Sequence, residues 1–451
     1  MRTKATAITI LSPLLCALSL LPNAVGAQDA TTTLNRTSNL SLDEAIRRAE
    51  ANEPAFAAAS AESAASLLER KNARAGLLPT ATYHNQVLYT EPNGQSNRLG
   101  QTTGEPSPVF IANNAVREYA SQGVFTETVG LAQLGAVKLA DANAARAAAQ
   151  LEVARRGLVA TVVSLYFSVS SGADKLKVSE RALDEANRFV DITQKRETAR
   201  EAAHADVLKA QLQEQQRERE LAEAKLTASK ARTELAVLLF PNPDTAYDLA
   251  PIDAPPILPE RTVIEDLARQ NNPELRSAMA DVQVSEANTY TARAALLPDL
   301  SLNVAYGIDA PQFATNGPEN TKNLGYSAGA TLDIPLWDWL TTERKIKENR
   351  LRQTAAKASL TNAQRRLLAN LSEDYAEAAV AQAEMNSLDA SVIAARESLR
   401  LTNLRYTDGE STVLEVVDAQ GTLTSAENAQ LEGRVRYQLA LAQLQTLTGR
   451  L

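Results

Sequence analysis

Two long proline-free stretches constrain the fold most strongly. The chain has 18 prolines in 451 residues, yet none occurs in residues 109–240 or 336–451. Because proline breaks a helix interior, its absence favours uninterrupted helices. In the first stretch apolar residues recur at helical steps, at Leu151, Ala154, Leu158, Val162 and Leu165. A helix from about Gly130 to Thr198 would be ~100 Å long and would need coiled-coil neighbours along its length.

The chain also repeats itself. A shift of 219 positions aligns Pro54 with Pro273, and "LLP" at 77–79 with "LLP" at 296–298. A match this long indicates a duplicated domain rather than a short solenoid repeat. The sequence therefore predicts a first repeat (28–240: helix, two membrane strands, long helical hairpin), a linker (241–260) with six prolines, and a second repeat of the same layout (261–451).

Strand patterns follow each leucine-leucine-proline step, which predicts that a helix there passes into a strand. Apolar and small polar residues alternate from Leu300 to Ile308 and from Leu324 to Ile334, a period typical of strands. The first repeat has weaker counterparts at 80–89 and 118–129. Runs of about ten residues suit tilted strands that cross a bilayer. Four strands cannot close a barrel, so separate chains would have to share one.

Aromatic residues near the predicted strands favour a membrane boundary. They are Tyr306, Tyr326, Trp337 and Trp339. An alternative remains: two soluble hairpins could cap a helical bundle, as in a structural coiled-coil envelope or surface protein with small β caps. That protein would partition into the soluble fraction.

The N-terminus reads as a secretory signal peptide, residues 1–27, with cleavage expected after Ala27. Cys16, the only cysteine, lies within it. Removal of the signal would leave 44 basic and 54 acidic residues, a net charge of −10. This balance argues against a nucleic-acid partner.

The sequence offers no catalytic constellation. The only histidines, His84 and His204, have no second ligand at metal spacing. We find no nucleophile–base pair or phosphate-binding loop, so we predict no enzyme activity, no cofactor and no metal site.

Each long helix must turn back on itself. The candidate reversals are "ETAREAAHAD" at 197–206 and "YTDGESTVLE" at 406–415, where Gly409 is a natural helix breaker.

Two segments of the second repeat resemble the TolC-like outer-membrane efflux family. They are "LARQNNPELRSAMADVQVSEANTYTARAALLPDLSL" (267–302) and "LRYTDGESTVLEVVDAQGTL" (404–423). The resemblance implies a mainly α fold with membrane β-strands, in which a trimer shares a twelve-stranded barrel above a coiled-coil helical tunnel. It also implies passive export across the outer membrane, with a periplasmic membrane-fusion adaptor and an inner-membrane transporter as partners.

By motif position, the resemblance assigns roles at the helix reversals. Glu415 and Asp418 would form an acidic ring at the tunnel aperture, and Tyr406 would help to latch the closed tip. The best-studied pattern of the family has a basic latch residue two positions after the glycine, where this chain has Ser411. The tips predicted to contact the adaptor are Ala199, Arg200, Glu201, Ala202, Asp408, Gly409, Glu410, Ser411 and Thr412.

Overall fold

A computed structural model describes residues 39–89, 117–251, 256–310, 312–317 and 322–449. The predicted signal peptide, including Cys16, lies outside these ranges. The elements, in chain order, are β1 (Asn39–Leu40), α1 (Leu42–Asn52), α2 (Pro54–Ala75), β2 (Thr80–Tyr89), β3 (Arg117–Val129), α3 (Leu131–Thr198), α4 (His204–Leu239), β4 (Asp248–Leu249), α5 (Arg261–Asn271), α6 (Pro273–Ala294), β5 (Asp299–Ala310), β6 (Leu324–Asp333), α7 (Thr341–Thr407) and α8 (Val413–Thr448).

The proline-free stretches form the long helices that the sequence predicts. Helix α3 has 68 residues and α7 has 67, so each is ~100 Å long at 1.5 Å per residue. Each is followed by a return helix of 36 residues, α4 or α8. None of the helices in the described ranges combines the length and the apolar character that a membrane crossing requires.

The long helices pack in two layers, one near the sheet and one further from it, and α3 and α7 are long enough to belong to both. Near the sheet the packing order is α2, α3, α6, α7, whereas in the other layer it is α4, α3, α8, α7. The largest hydrophobic cluster lies between the layers, where α1 and the β1–β4 pair cross α3. There the Tyr166 hydroxyl donates a 2.9 Å hydrogen bond to the Leu40 carbonyl. The packing of α1 and the β1–β4 pair on α3 thus connects the two layers.

Both leucine-leucine-proline steps lie between a helix and a strand. Helix α2 ends at Ala75 before β2, and α6 ends at Ala294 before β5. Both helices begin with a proline, which suits the first helical position because its missing N–H has no helical partner there. The second repeat adds Pro335 between β6 and α7.

The four long strands form one antiparallel sheet in the order β2-β3-β5-β6. Strands β3 and β5 join the two repeats. Gly307 permits their close approach, since a Cβ there would lie 2.2 Å from the Ser121 carbonyl oxygen. The edges of the sheet are β2, from the first repeat, and β6, from the second.

Candidate functional site

The sheet has one apolar face. Across β5 and β6, Leu300 pairs with Leu332, and Tyr306 pairs with Tyr326. These side chains are exposed; Tyr326, for example, is 83% exposed. A row of exposed apolar side chains on a continuous sheet marks a surface that meets an apolar environment or another molecule.

The opposite face is polar, as a water-facing surface requires. Asn303, Ser327 and Thr331 share it through the strand register. Gln122 Nε2 donates a 3.2 Å hydrogen bond to Asp309 Oδ2 on the same face. The sheet thus has one apolar and one polar face, as the alternation predicts.

A small polar group interrupts the apolar face. Ser121 Oγ lies 2.8 Å from the Tyr83 hydroxyl and 2.8 Å from Asn85 Oδ1. Hydrogen bonds among these three residues pair their polar atoms, which lowers the free-energy cost of placing them next to hydrocarbon. The sequence pattern alone does not reveal this group.

The segment between β6 and α7 carries both tryptophans of the chain. Trp337 and Trp339 are 70% and 76% exposed, and their rings contact edge to face at 5.9 Å between centroids. Trp339 and Leu340 adopt left-handed backbone angles, with φ of 57° and 61°. Asp338 Oδ2 stabilises this turn by accepting a 2.7 Å hydrogen bond from the Thr342 amide.

The two helix reversals have the same backbone geometry. Arg200 and Gly409 follow the helix ends in left-handed conformations, with φ of 60° and 82°. Glu201 and Glu410 then donate their N–H groups back to helix carbonyls, both at 2.8 Å. This pattern is the Schellman motif, which satisfies carbonyls at the end of a helix. The predicted tip residues therefore form two matching turns at the same end of the helical layer.

Glu415 caps α8 as well as carrying charge. Its carboxylate forms a capping box with Thr412, and it accepts a 2.9 Å hydrogen bond from the Ser411 hydroxyl. Hydrogen bonds from Ser411 and then Thr412, with a smaller effect of Arg405, hold the pKa of Glu415 below its ordinary value. Asp418 lies one turn further along α8 and is exposed. Both carboxylates are accessible at the tip, while their place in an aperture stays a prediction.

Tyr406 is buried beneath the reversal. It is 4% exposed, its ring packs on Phe189 at 5.1 Å, and its hydroxyl lies 3.4 Å from Thr193 Oγ1. The Arg196 guanidinium lies over the ring and donates to the Tyr406 carbonyl. Tyr406 therefore connects α7 to α3 within one chain, and its role as a latch stays a prediction.

A charged cluster that the sequence analysis missed joins three tip helices. Glu427 on α8 accepts two 3.2 Å hydrogen bonds from Arg181 on α3 and one of 2.9 Å from Arg396 on α7. The Glu427 side chain is only 10% exposed. Burial, followed by the charge of Glu427, raises the pKa of nearby Glu185. These residues line a cleft of about 390 Å³ between the three helices.

Known proteins of similar sequence or fold include outer-membrane proteins and channels. The family model described as Outer membrane efflux protein matches residues 265–450. Protein CyaE of Bordetella pertussis is 26% identical over 418 residues, which cover 91% of this chain and 83% of CyaE. Outer membrane protein TolC of Vibrio cholerae is 24% identical over 425 residues, 91% of each chain. The solved outer-membrane channel OprN matches with a TM-score of 0.77 at 20% identity, over 90% of this chain and 89% of OprN.

Residues 265–450 thus match the family of outer membrane efflux proteins, and the described fold is similar to that of outer-membrane channels over 90% of the chain. This family consists of outer-membrane channels and not of enzymes, which agrees with the prediction of no catalytic activity. As a TolC-like protein, the chain is an outer-membrane export channel with a periplasmic helical domain. The soluble coiled-coil alternative is therefore wrong.

The similarity to TolC-like channels also orients the molecule. The sheet, with its apolar face, is the membrane part of the TolC-like fold, and the helices form the tunnel. The reversals at Arg200 and Gly409 thus lie at the end furthest from the membrane. TolC-family channels are trimers that work with adaptors and inner-membrane pumps.

Proposed function

We propose that three copies of this chain close into one passive exit duct, which receives substrates from an inner-membrane transporter through a periplasmic adaptor. The main observation behind this proposal is that the sheet and both helical layers each end in two unpaired edges, which lie on the same two sides of the protomer. One side is formed by β2, α2 and α4, and the other by β6 and α7.

An open sheet edge in lipid leaves backbone N–H and C=O groups without partners, at a cost of several kcal/mol each. Pairing β2 of one chain with β6 of the next removes both edges, and three chains give twelve strands. The same rotation places α7 beside α2 and α4 of the neighbour. One contact, repeated around a three-fold axis, thus closes the barrel and both helical layers.

Cysteine cross-linking tests this arrangement. Thr82 and His84 on β2 lie on the polar face, as do Ser327 and Thr331 on β6. Within one chain two strands separate β2 from β6, a span of ~14 Å at 4.8 Å per strand, which no disulfide can bridge. We expect paired cysteines at these positions to give covalent dimers and trimers on denaturing gels. Products that stay monomeric for every pair would contradict the shared barrel.

We further propose that Glu415 and Asp418 form the selective aperture. Three chains would bring six carboxylates around one axis, a ring that attracts cations and repels anions. Both lie in the first two turns of α8, directly after the reversal. Because its hydrogen bonds lower the pKa of Glu415, this residue stays charged to a lower pH than an ordinary glutamate.

The double variant Glu415→Gln, Asp418→Asn tests the aperture. Glutamine keeps the capping box, so the variant removes charge and retains the helix start. We expect weaker block by divalent cations and altered single-channel conductance in bilayers. Exposed Glu218 and Glu223 on α4 supply the matched control, as a double glutamine variant. Equal block in the two variants and the wild type would remove both residues from the aperture.

We assign adaptor contact to the two tips, Ala199 to Ala202 and Asp408 to Thr412. Seven of these nine residues are exposed at the end furthest from the sheet, while Ala202 and Ser411 are half-buried, and this exposure supports the assignment. Charge reversal at Glu201 and Glu410 should weaken binding of the cognate adaptor hairpin and leave trimer formation intact. Adaptor binding that is unchanged in titration calorimetry would place the contact elsewhere. The aromatic residues Tyr306, Tyr326, Trp337 and Trp339 would face outer-membrane lipid.

A further inference from the structure

The first turns of α7 carry an unusual concentration of positive charge. Residues 341–352 contain five basic and two acidic residues in a chain whose net charge is −8. Four of the basic side chains are exposed and, among the described residues, form no ion pair or side-chain hydrogen bond. We call this set the basic collar; its members are Arg344, Lys345, Lys347 and Arg350.

One member of the basic collar, Arg344, lies in the first turn of α7, near the positive end of the helix dipole. The start of a helix carries a partial positive charge, so cations there are unfavourable and acidic residues are preferred. Only Glu343 supplies negative charge in the first turn of α7. The other three collar residues follow beyond the first turn, and all four positive charges are available to an anion outside the chain.

The position of the basic collar identifies the kind of anion. It directly follows the exposed tryptophan pair, Trp337 and Trp339, and Leu336 beside them is 89% exposed. Tryptophans of this kind lie at the level of lipid headgroups. Lys345 and Lys347 are the fifth and seventh residues of α7, ~6 and ~9 Å beyond its start at 1.5 Å per residue, so their long side chains can reach back towards the headgroup layer.

The first repeat provides an internal comparison. Its equivalent helix start, at Leu131, has no tryptophan before it and only one basic residue in its first eight, Lys138. The Lys138 ammonium already lies over the Tyr290 ring, 3.8 Å from its centroid. The unpaired charge is thus a property of the second repeat alone, and it is not a general requirement of a strand-to-helix junction.

We propose that the basic collar and the tryptophan pair bind the phosphate groups of anionic phospholipids in the periplasmic leaflet of the outer membrane. The apolar rings enter the headgroup boundary and the collar meets the phosphates directly below. This inference rests on the proposed membrane placement of the sheet. Recognition is electrostatic, so it weakens as salt rises.

The tryptophans make a direct test available, because the chain contains only two. All indole fluorescence therefore reports on this junction. Full-length trimer is placed in nanodiscs that contain phosphatidylcholine and a fixed fraction of phosphatidylglycerol. Bromine, which quenches tryptophan, is carried either by the phosphatidylglycerol or by the same fraction of phosphatidylcholine. We expect quenching by the anionic lipid to exceed that by the neutral lipid about twofold, as a local enrichment of anionic lipid predicts.

Two double variants test whether the basic collar causes the difference in quenching. Lys345→Gln with Lys347→Gln should bring the quenching ratio close to one, and high salt should do the same to the wild type. Lys225→Gln with Lys230→Gln, two exposed lysines on α4, removes equal charge and should leave the ratio unchanged. A ratio that survives in the first pair would overturn the assignment to the collar.

The remaining outcomes separate this proposal from the membrane placement. Equal quenching by both lipids in the wild type would refute anionic recognition, while the sheet would still lie in the bilayer. An absence of quenching by either lipid would refute both, because the tryptophans would then lie outside the membrane boundary.

Discussion

Replacing Glu427 with glutamine tests whether the buried charge cluster holds the tip helices together. The Glu427 carboxylate accepts hydrogen bonds from Arg181 on α3 and Arg396 on α7, at 3.2 and 2.9 Å. It is therefore a single acceptor that connects three helices. Its position is ~20 Å along α8 from the reversal, counted at 1.5 Å per residue.

The magnitude follows from the unequal burial of the partners. Breaking a fully buried ion pair costs about 3–5 kcal/mol, whereas an exposed pair contributes at most about 1 kcal/mol. Glu427 is 10% exposed, but Arg181 and Arg396 are 57% and 61% exposed and can return to water. We therefore expect the loss to lie between these limits, at about 1–2 kcal/mol per chain.

Two measurements check this value. Unfolding of Glu427→Gln by denaturant should give the stability loss, and bilayer recordings should show more frequent open states if the cluster favours a closed tip. A change of 1.4 kcal/mol corresponds to about tenfold in an equilibrium. Glu432→Gln is the matched control, because Glu432 is on the same helix and pairs with Lys175 at 2.7 Å while 65% exposed. Identical behaviour of the two variants would refute the reasoning.

Two further predictions concern a half-buried carboxyl group and the turns. Burial, followed by the charges of Glu373 and Glu377, raises the pKa of Asp374 to about 6 from 3.8. Between these two pH values the folded state keeps Asp374 protonated while the unfolded state loses the proton, so the stability of the wild type falls as the pH rises through this interval. Asp374→Asn should therefore stabilise the protein above pH 6 by about 1 kcal/mol, a value reduced because the site is half-exposed, and should have little effect below pH 4. Equal changes in melting temperature at both pH values would contradict this. Arg200→Gly should stabilise the protein by about 0.5 kcal/mol, and Gly409→Ala should destabilise it by about 1 kcal/mol, because only glycine adopts the left-handed turn without strain. If denaturant unfolding gave changes of the same sign for the two variants, this account would be excluded.

The sequence predicts the long elements well because they follow from local chemistry. The predicted helix from Gly130 to Thr198 differs from α3 by one residue at its start, where Gly130 is the N-cap. The alternating strands likewise lie where period-two patterns occur between turn residues. Proline, glycine and hydrophobic periodicity act within a few residues of each position, so one sequence is enough to interpret them.

The features that sequence analysis missed depend on distance along the chain or on unusual backbone. Glu427 is 246 residues from Arg181 and 31 from Arg396, and no local pattern distinguishes these residues from solvated charges. The turn at Arg200 lacks the glycine that identifies its partner turn at Gly409. Strands β1 and β4 are two residues long, too short to show any period.

At the tip, position 411 is a serine, and arginines of α3 supply the positive charge. Ser411 donates a hydrogen bond to Glu415 and thereby stabilises the start of α8. Positive charge comes instead from α3, since Arg196 contacts Tyr406 at the reversal and Arg181 reaches Glu427 deeper in the cleft. Both arginines extend from α3 towards the α7–α8 pair, so any motion that separates α3 from this pair must break them. We expect the closed state of this channel to depend on these links within each chain.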